Sequence, residues 1–332
     1  MNAYQDLDDL LWADKYHQSV SLSQKGTIVN IEGVDNVDTY NPVLCEYDGA
    51  KILAFRCEDR LSDINDTEHY HPSILFAKQD GDKWKLATDI APFDMMEDPL
   101  FMEAKIDGKE CIVFGGVRAK LVSVGNFVVD TELYKGNLLE TINHHPFAVI
   151  MGMKDERLHQ LPDGRFLLCR RPLDGKGLGR VVIHIINSLE DLVSINGAIP
   201  PALVELRGLY DDDWVGVNNI YILNDKYGTT WVGLLGHVAT HDVNDHKHYA
   251  ATTYKVKLDD LINSRTEGMV PTIIATRANF EDGDEKNAKL GDVVFPGSLE
   301  RVEGEKYRLW AGLSDAKIGV VEVTDPFGLG EL

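Results

Sequence analysis

The sequence predicts an all-β protein, a five-bladed β-propeller with a short N-terminal helical extension. Three observations lead there: a hairpin that recurs five times, glycine-marked turns at near-regular intervals, and a scarcity of helical periodicity. The recurring segments read NPVLCEYDGAKILAFRCEDR, DPLFMEAKIDGKECIVFGGVR, DERLHQLPDGRFLLCRRPL, NNIYILNDKYGTTWVGLLGHV and GSLERVEGEKYRLWAGLSD. Their turn glycines, Gly49, Gly108, Gly164, Gly228 and Gly304, are separated by 59, 56, 64 and 76 residues. Asp-Gly and other glycine-containing turns supply the positive φ a hairpin needs, and β-branched or aromatic residues follow each one.

In chain order, the acidic start QDLDDLLWADKY fits a helical period. The first hairpin, near 41–60, is followed by a second Gly-turn pair in SILFAKQDGDKWKLA. FVVDTELYKGNL supplies a further strand after the hairpin near 98–118, and RVVIHIINS does so after the one near 155–173. The fourth hairpin, near 218–238, leads into YAATTYKVKLD and the short helical LDDLINSR. TRANFEDGDEKNAKL reads as a polar loop near the rim, and the fifth hairpin lies near 297–315. Four strands in about 60 residues is the arithmetic of one propeller blade with long loops. A β-sandwich of several hairpins would also give Asp-Gly turns, but it does not call for the regular interval. No linker or break in composition interrupts the chain, so residues 1–332 are expected to form a single domain.

The net charge of -21 and a pI near 4.8 exclude a surface that attracts nucleic acid or anionic lipid, so any anionic ligand must be met by a local basic cluster. The acidic N-terminus lacks the pattern of a signal peptide, and no apolar run is long enough to span a bilayer; a cytoplasmic protein is expected. Cys45, Cys57, Cys111 and Cys169 have no CxxC spacing and read as buried thiols.

In a propeller, loops at one end bring equivalent points of different blades together. At those points stand Asn41, Arg56, Glu58, Asp59, Arg60, Glu97, Asp98, Lys154, Asp155, Arg170, Arg171, Asn218, Asn219, His237 and Asp315. Arg56, Lys154, Arg170 and Arg171, gathered in so acidic a chain, suggest an anion pocket, because guanidinium forks fit phosphate oxygens. The histidine-rich TEHYHPS, NHHPF and HVATHDVNDHKHY lack metal-site spacing, so no metal is expected. GKGLGR lacks the helix and lysine of a nucleotide loop, and no GxSxG appears.

The motifs YNP, ILAFRCEDR, EDP, KDERLHQLPDGRFLLCRRP, YAATTYKVKLDDL and DVVFPGSLE…YRLWAGLSDAKIGVVEV resemble, in that order, the β-mannoside phosphorylases and hydrolases of glycoside hydrolase family 130. The resemblance runs from Tyr40 to Val323 and is closer to a sister family, domain of unknown function 1861, glycosyltransferase family 108. Members of that family include dual-activity mannosyltransferase/phosphorylases acting on β-1,2-linked mannan. Both families have five-bladed propellers. The resemblance implies Asp98 as catalytic acid, Arg56, Lys154, Arg171 and Tyr249 as phosphate contacts, and Asp315 as a sugar ligand. Asn41, Asp59, Glu97, Asp155 and His237 are further candidates for substrate binding. WVGVNN and LLGHVA depart from the family 130 lysine and Tyr-His-Gly motifs and fit the sister family better.

The implied reaction is inverting phosphorolysis of β-1,2-oligomannosides to α-mannose 1-phosphate, with reverse synthesis or transfer from GDP-mannose in the same pocket. Phosphate as nucleophile needs cations to hold it and no second catalytic carboxylate, whereas a hydrolase needs one about 6.5–9.5 Å away. The expected partners are mannose oligosaccharides, phosphate, mannose 1-phosphate or GDP-mannose, with no cofactor. A β-mannoside hydrolase and a non-catalytic carbohydrate-binding propeller remain as alternatives.

Overall fold

The computed structural model describes residues 20, 22 and 24–330, apart from 48, 61–69, 124–125, 138, 140–141, 143, 173–180, 195–201, 210–212 and 267–268. The N-terminal helical extension and GKGLGR lie outside the described residues. The regular structure is nearly all β; the longest helix among the described residues, Leu258–Ile262, falls in the stretch read as LDDLINSR. No helix among the described residues is long and apolar enough to cross a membrane.

All five expected hairpins form. Asp38–Tyr47 pairs with Ala50–Glu58, Glu97–Ile106 with Lys109–Ser123, and Met153–Gln160 with Phe166–Pro172. Trp214–Asn224 pairs with Thr230–His241, and Asp292–Arg301 with Lys306–Leu313. The five turn glycines all have positive φ, between 56 and 90°, a region L side chains avoid and glycine enters freely. Third strands add antiparallel at Ser73–Asp80, Asn126–Gly136, Val181–Ile186, Lys247–Lys257 and Lys317–Thr324. Five units thus run along the chain, although hydrogen bonding groups them as four sheets. The fourth and fifth units merge because His248 and Tyr249 pair in parallel with Asp292 and Val293.

The units pack in sequence order. The first strand of each touches the first strand of the next, and Asp292–Arg301 of the fifth returns to Asp38–Tyr47 of the first. Five apolar cores separate consecutive units: Phe76 and Phe114 between the first two, Leu133 and Leu168 between the next two, then Ile183 and Val232, Leu235 and Leu309, and finally Phe55 with Trp310 between fifth and first. With apolar neighbours on both faces, a strand can be apolar at successive positions, which is why ILAF at 52–55 runs unbroken. The N-terminal strand Thr27–Val29 pairs with Lys317–Thr324, and Ile31–Glu32 pairs with Lys83–Leu86 of the first unit, so this segment ties the last unit to the first.

Every first strand is bulged at one position. Register shifts at Asn41–Pro42, Asp98–Pro99, Asp155–Glu156, Asn218 and Gly297. Asn41, Asp98 and Asp155 take φ of 49, 49 and 57° there, and Asn and Asp are the non-glycine residues that best tolerate that conformation. Proline follows the first two, where the broken ladder asks for no N–H. At the fifth bulge the chain passes so close to Pro42 that a Cβ on Gly297 would stand 1.5 Å from its carbonyl oxygen.

Candidate active site

The bulges turn short polar side chains toward one end of the ring of first strands, and the second strands return to that end carrying Arg56, Arg171 and His237. Beside the bulges a small cavity of about 10 Å³ is lined by Val43, Leu100, Arg157 and Asn218. A cavity of about 1010 Å³ lies between the N-terminal strands, Trp84 and Trp310 and is lined by none of the candidate residues.

Two tyrosines and a lysine organise the first-unit side. Arg56 sits between Glu58 (3.1 Å), Glu97 (3.0 Å) and Asp98 (3.7 Å). Tyr40 donates to Glu58 and Tyr70 donates to Glu97, while Lys286 pairs with Glu58. Asn41 Nδ2 donates to Asp98 Oδ1 at 2.7 Å. Burial works against the Arg56 charge, but Glu97, Tyr40, Glu58 and Asp98 hold its pKa well above the ordinary value. Burial likewise opposes ionisation of Glu58, and Arg56 and Lys286 outweigh it. Burial wins at Glu97: with the Asp98 charge beside it, the carboxyl is raised despite the pull of Arg56.

The third unit supplies a second set. Arg171 Nη1 bonds Asp155, both nearly inaccessible at 4% and 3% side-chain exposure. Burial alone would raise Asp155, yet Arg171, Lys154, His237 and Arg157 together hold it well below the usual carboxylate range. The Lys154 ammonium has neither a hydrogen bond nor an ion pair among the described residues, although its backbone pairs with Arg171. Burial, followed by the Arg171 charge, lowers its pKa, against the attraction of Asp155, Asp98 and Glu97. His237 stacks on Tyr249 with centroids 5.1 Å apart and planes at 15°, and its Nδ1 lies 2.9 Å from Asn218 Oδ1. Burial, with Arg171 and Lys154 adding, takes its pKa down to about 3, so the ring is neutral at physiological pH. Burial pushes the Tyr249 hydroxyl up to about 12.

Asp315 occupies the turn after Lys306–Leu313 at φ 50°. Its carboxylate has no hydrogen bond or ion pair among the described residues. Burial raises its pKa, Asp98 adds to the rise, and Arg56, Lys247 and Lys286 oppose it. The structure therefore gathers Asn41, Arg56, Glu97, Asp98, Lys154, Asp155, Arg171, His237, Tyr249 and Asp315 into one electrostatic neighbourhood. Asp59 differs, lying exposed one residue beyond Ala50–Glu58. Two groups the sequence left unassigned join the cluster: Tyr70, from the stretch leading into Ser73–Asp80 of the first unit, and Lys286, from the polar loop read as rim. Arg60 and Lys317 tether that loop through Asp284.

Beneath Asp155 and Arg171, the buried pair Glu156 and Arg170 (3.2 Å) braces the same two strands. Burial outweighs the attraction of Arg170 and pushes Glu156 up to about 7 from 4.5. A carboxyl raised on folding contributes stability that is whole below about pH 4.5 and is lost as pH rises toward 7, here on the order of 3 kcal/mol. Glu156→Gln is expected to flatten the fall in unfolding midpoint across that window; an unchanged slope would place the titration elsewhere.

Comparison with known proteins adds a family and a set of neighbours. A family model described as "Protein of unknown function (DUF1861)" matches residues 15–329. No curated protein matches the chain. Among solved structures, a mannose phosphorylase from Leishmania mexicana, MPT-4, in complex with phosphate ion, is 21% identical with a TM-score of 0.77, over 98% of this chain and 95% of that one. MPT-1, a GDP-Man-dependent mannosyltransferase from the same organism, is 24% identical with a TM-score of 0.76, over 97% of each. A β-1,2-mannobiose phosphorylase from Listeria innocua is 17% identical with a TM-score of 0.60, over 88% of this chain and 92% of that one. At such identities the likeness is one of fold.

Proposed function

The chain belongs to the DUF1861 family, and from that premise we propose that it is an inverting phosphorylase of β-1,2-linked oligomannosides that releases α-mannose 1-phosphate. The single observation that carries this reading is Lys154: an ammonium held among Asp98, Glu97 and Arg171 with no partner of its own among the described residues. A largely buried cation that makes no direct ion pair is costly unless a ligand completes it. An anion there, held also by Arg171 and Tyr249, stands against the carboxyl of Asp98. The fold behind the site is a single five-bladed propeller, supported by the cyclic packing of five units and by the N-terminal strand that joins the last unit to the first.

The chemistry follows from these positions. Asp98 passes a proton to the oxygen linking two mannoses as the C1–O bond breaks. A phosphate oxygen bonds to C1 from the opposite face, inverting it. Asp315, unpartnered and half-buried, accepts from sugar hydroxyls. The reverse reaction, or transfer from GDP-mannose, uses the same cations for the departing phosphate, and no cofactor is called for. The four thiols are free, as suits a cytoplasmic protein.

A hydrolase would need a base near Asp98. Asp155 is held in its pair with Arg171, which leaves Asp315 as the carboxylate able to serve. Incubation with β-1,2-mannobiose, with and without inorganic phosphate, separates the readings. Mannose 1-phosphate formed only with phosphate is expected; free mannose formed regardless of phosphate would make Asp315 a base, and neither product would favour a binding propeller.

A further inference from the structure

We propose that Asn41 is a positioning residue for the acid, fixing which oxygen of Asp98 carries the proton. This rests on the proposed function and replaces the expectation that Asn41 contacts substrate. Both contacts to the Asp98 carboxyl fall on one atom: Asn41 Nδ2 donates to Oδ1 at 2.7 Å, and Arg56 Nη1 lies 3.7 Å from the same Oδ1. No hydrogen bond from the described residues reaches Oδ2. An oxygen that accepts from an amide beside a guanidinium is disfavoured as the protonated one, because the acid's single O–H must sit where an acceptor, not a donor, faces it. The proton therefore belongs on Oδ2, free to meet the bridging oxygen.

The geometry keeps Asn41 in that task. Its residue is 6% exposed, and the left-handed bulge fixes its backbone at φ 49°. Opposite it, Gly312 leaves room that no other residue would: a Cβ there would stand 2.2 Å from Asn41 Oδ1. The bulge alone would accept Asp as readily as Asn. Only the amide donates, and a carboxylate would set a like charge against Asp98.

The test is Asn41→Asp, with Asn41→Ala as the second variant should the first fail to fold, read by kcat and KM for phosphorolysis of β-1,2-mannobiose beside a nitrophenyl mannoside, whose leaving group needs little protonation. With the donor gone, nothing confines the proton to the oxygen that faces the bridging oxygen. The expected result is kcat for mannobiose lowered about 10- to 100-fold, with kcat for the nitrophenyl mannoside and the KM for mannobiose each held within about twofold. An equal loss of kcat on both substrates would make Asn41 merely structural, and a raised KM with kcat unchanged would restore it as a sugar contact. Either result overturns the inference while leaving the function standing. Turnover that survives Asp98→Asn places the acid elsewhere and overturns this inference, whereas unaltered protein that forms no mannose 1-phosphate from mannobiose and phosphate overturns the function itself.

Discussion

Asp98→Asn abolishes most phosphorolysis: kcat for β-1,2-mannobiose is expected to fall about 10²- to 10⁴-fold, the usual contribution of a positioned general acid. The amide preserves the side chain's shape and can still accept from Asn41 Nδ2 through its oxygen, so folding and mannobiose affinity should persist. Substrates whose leaving group needs little protonation, such as nitrophenyl mannosides, should recover much of the loss. Glu97→Gln is the necessary comparison, because Glu97 is the neighbouring carboxyl whose pKa burial raises. If Glu97→Gln removes turnover and Asp98→Asn spares it, the proton comes from Glu97, and Tyr70 is the group that holds it in place.

Lys154→Met gives the second large effect, and it should fall on phosphate alone. A charge-assisted contact to phosphate contributes about 1.5–3 kcal/mol, so the KM for phosphate should rise roughly 10- to 100-fold. Stability should not suffer, since the lost ammonium had no partner among the described residues and its desolvation was unfavourable. Arg171→Met should behave differently. It leaves Asp155, 3% exposed, as a buried charge without its partner and should cost about 3–5 kcal/mol of stability in addition to phosphate affinity. Denaturant midpoints measured beside phosphate kinetics separate the two. Equal destabilisation by both changes would assign Lys154 to the scaffold and remove the main support for an anion at that position.

Much of this arrangement was legible in the sequence, and the limits are physical. The five hairpins could be read because a tight turn demands positive φ and glycine marks it, at 49, 108, 164, 228 and 304. Merging of the fourth and fifth units could not, because the parallel pairing of His248 and Tyr249 with Asp292 and Val293 is a backbone event without side-chain signature. The bulges lay in plain view as Asn41, Asp98 and Asp155, each 57 residues from the next. A left-handed bulge and a polar site select the same residue types, so the residues alone do not separate the two roles. The sequence marks the basic residues but not their counter-charges, and Arg170 turns to Glu156 beneath the site. Arg56 proves to be engaged by Glu58, Glu97 and Asp98, and Arg171 by Asp155, as expected once cations fold within a chain of net charge -21. Sequence cannot reveal which cation of the cluster ends without an ion pair; that depends on the third unit's bulge, which pairs Asp155 with Arg171 and leaves the Lys154 ammonium without one among the described residues.

One acid on one face of the sugar and an anion held on the other have a stereochemical consequence. The most direct measurement is proton NMR of the first mannose 1-phosphate formed from β-1,2-mannobiose and phosphate, taken before the product can equilibrate. The α anomer is predicted, by a single inversion at C1. The β anomer, or free mannose with no phosphate ester, would contradict an in-line attack between Asp98 and the Lys154–Arg171 cations.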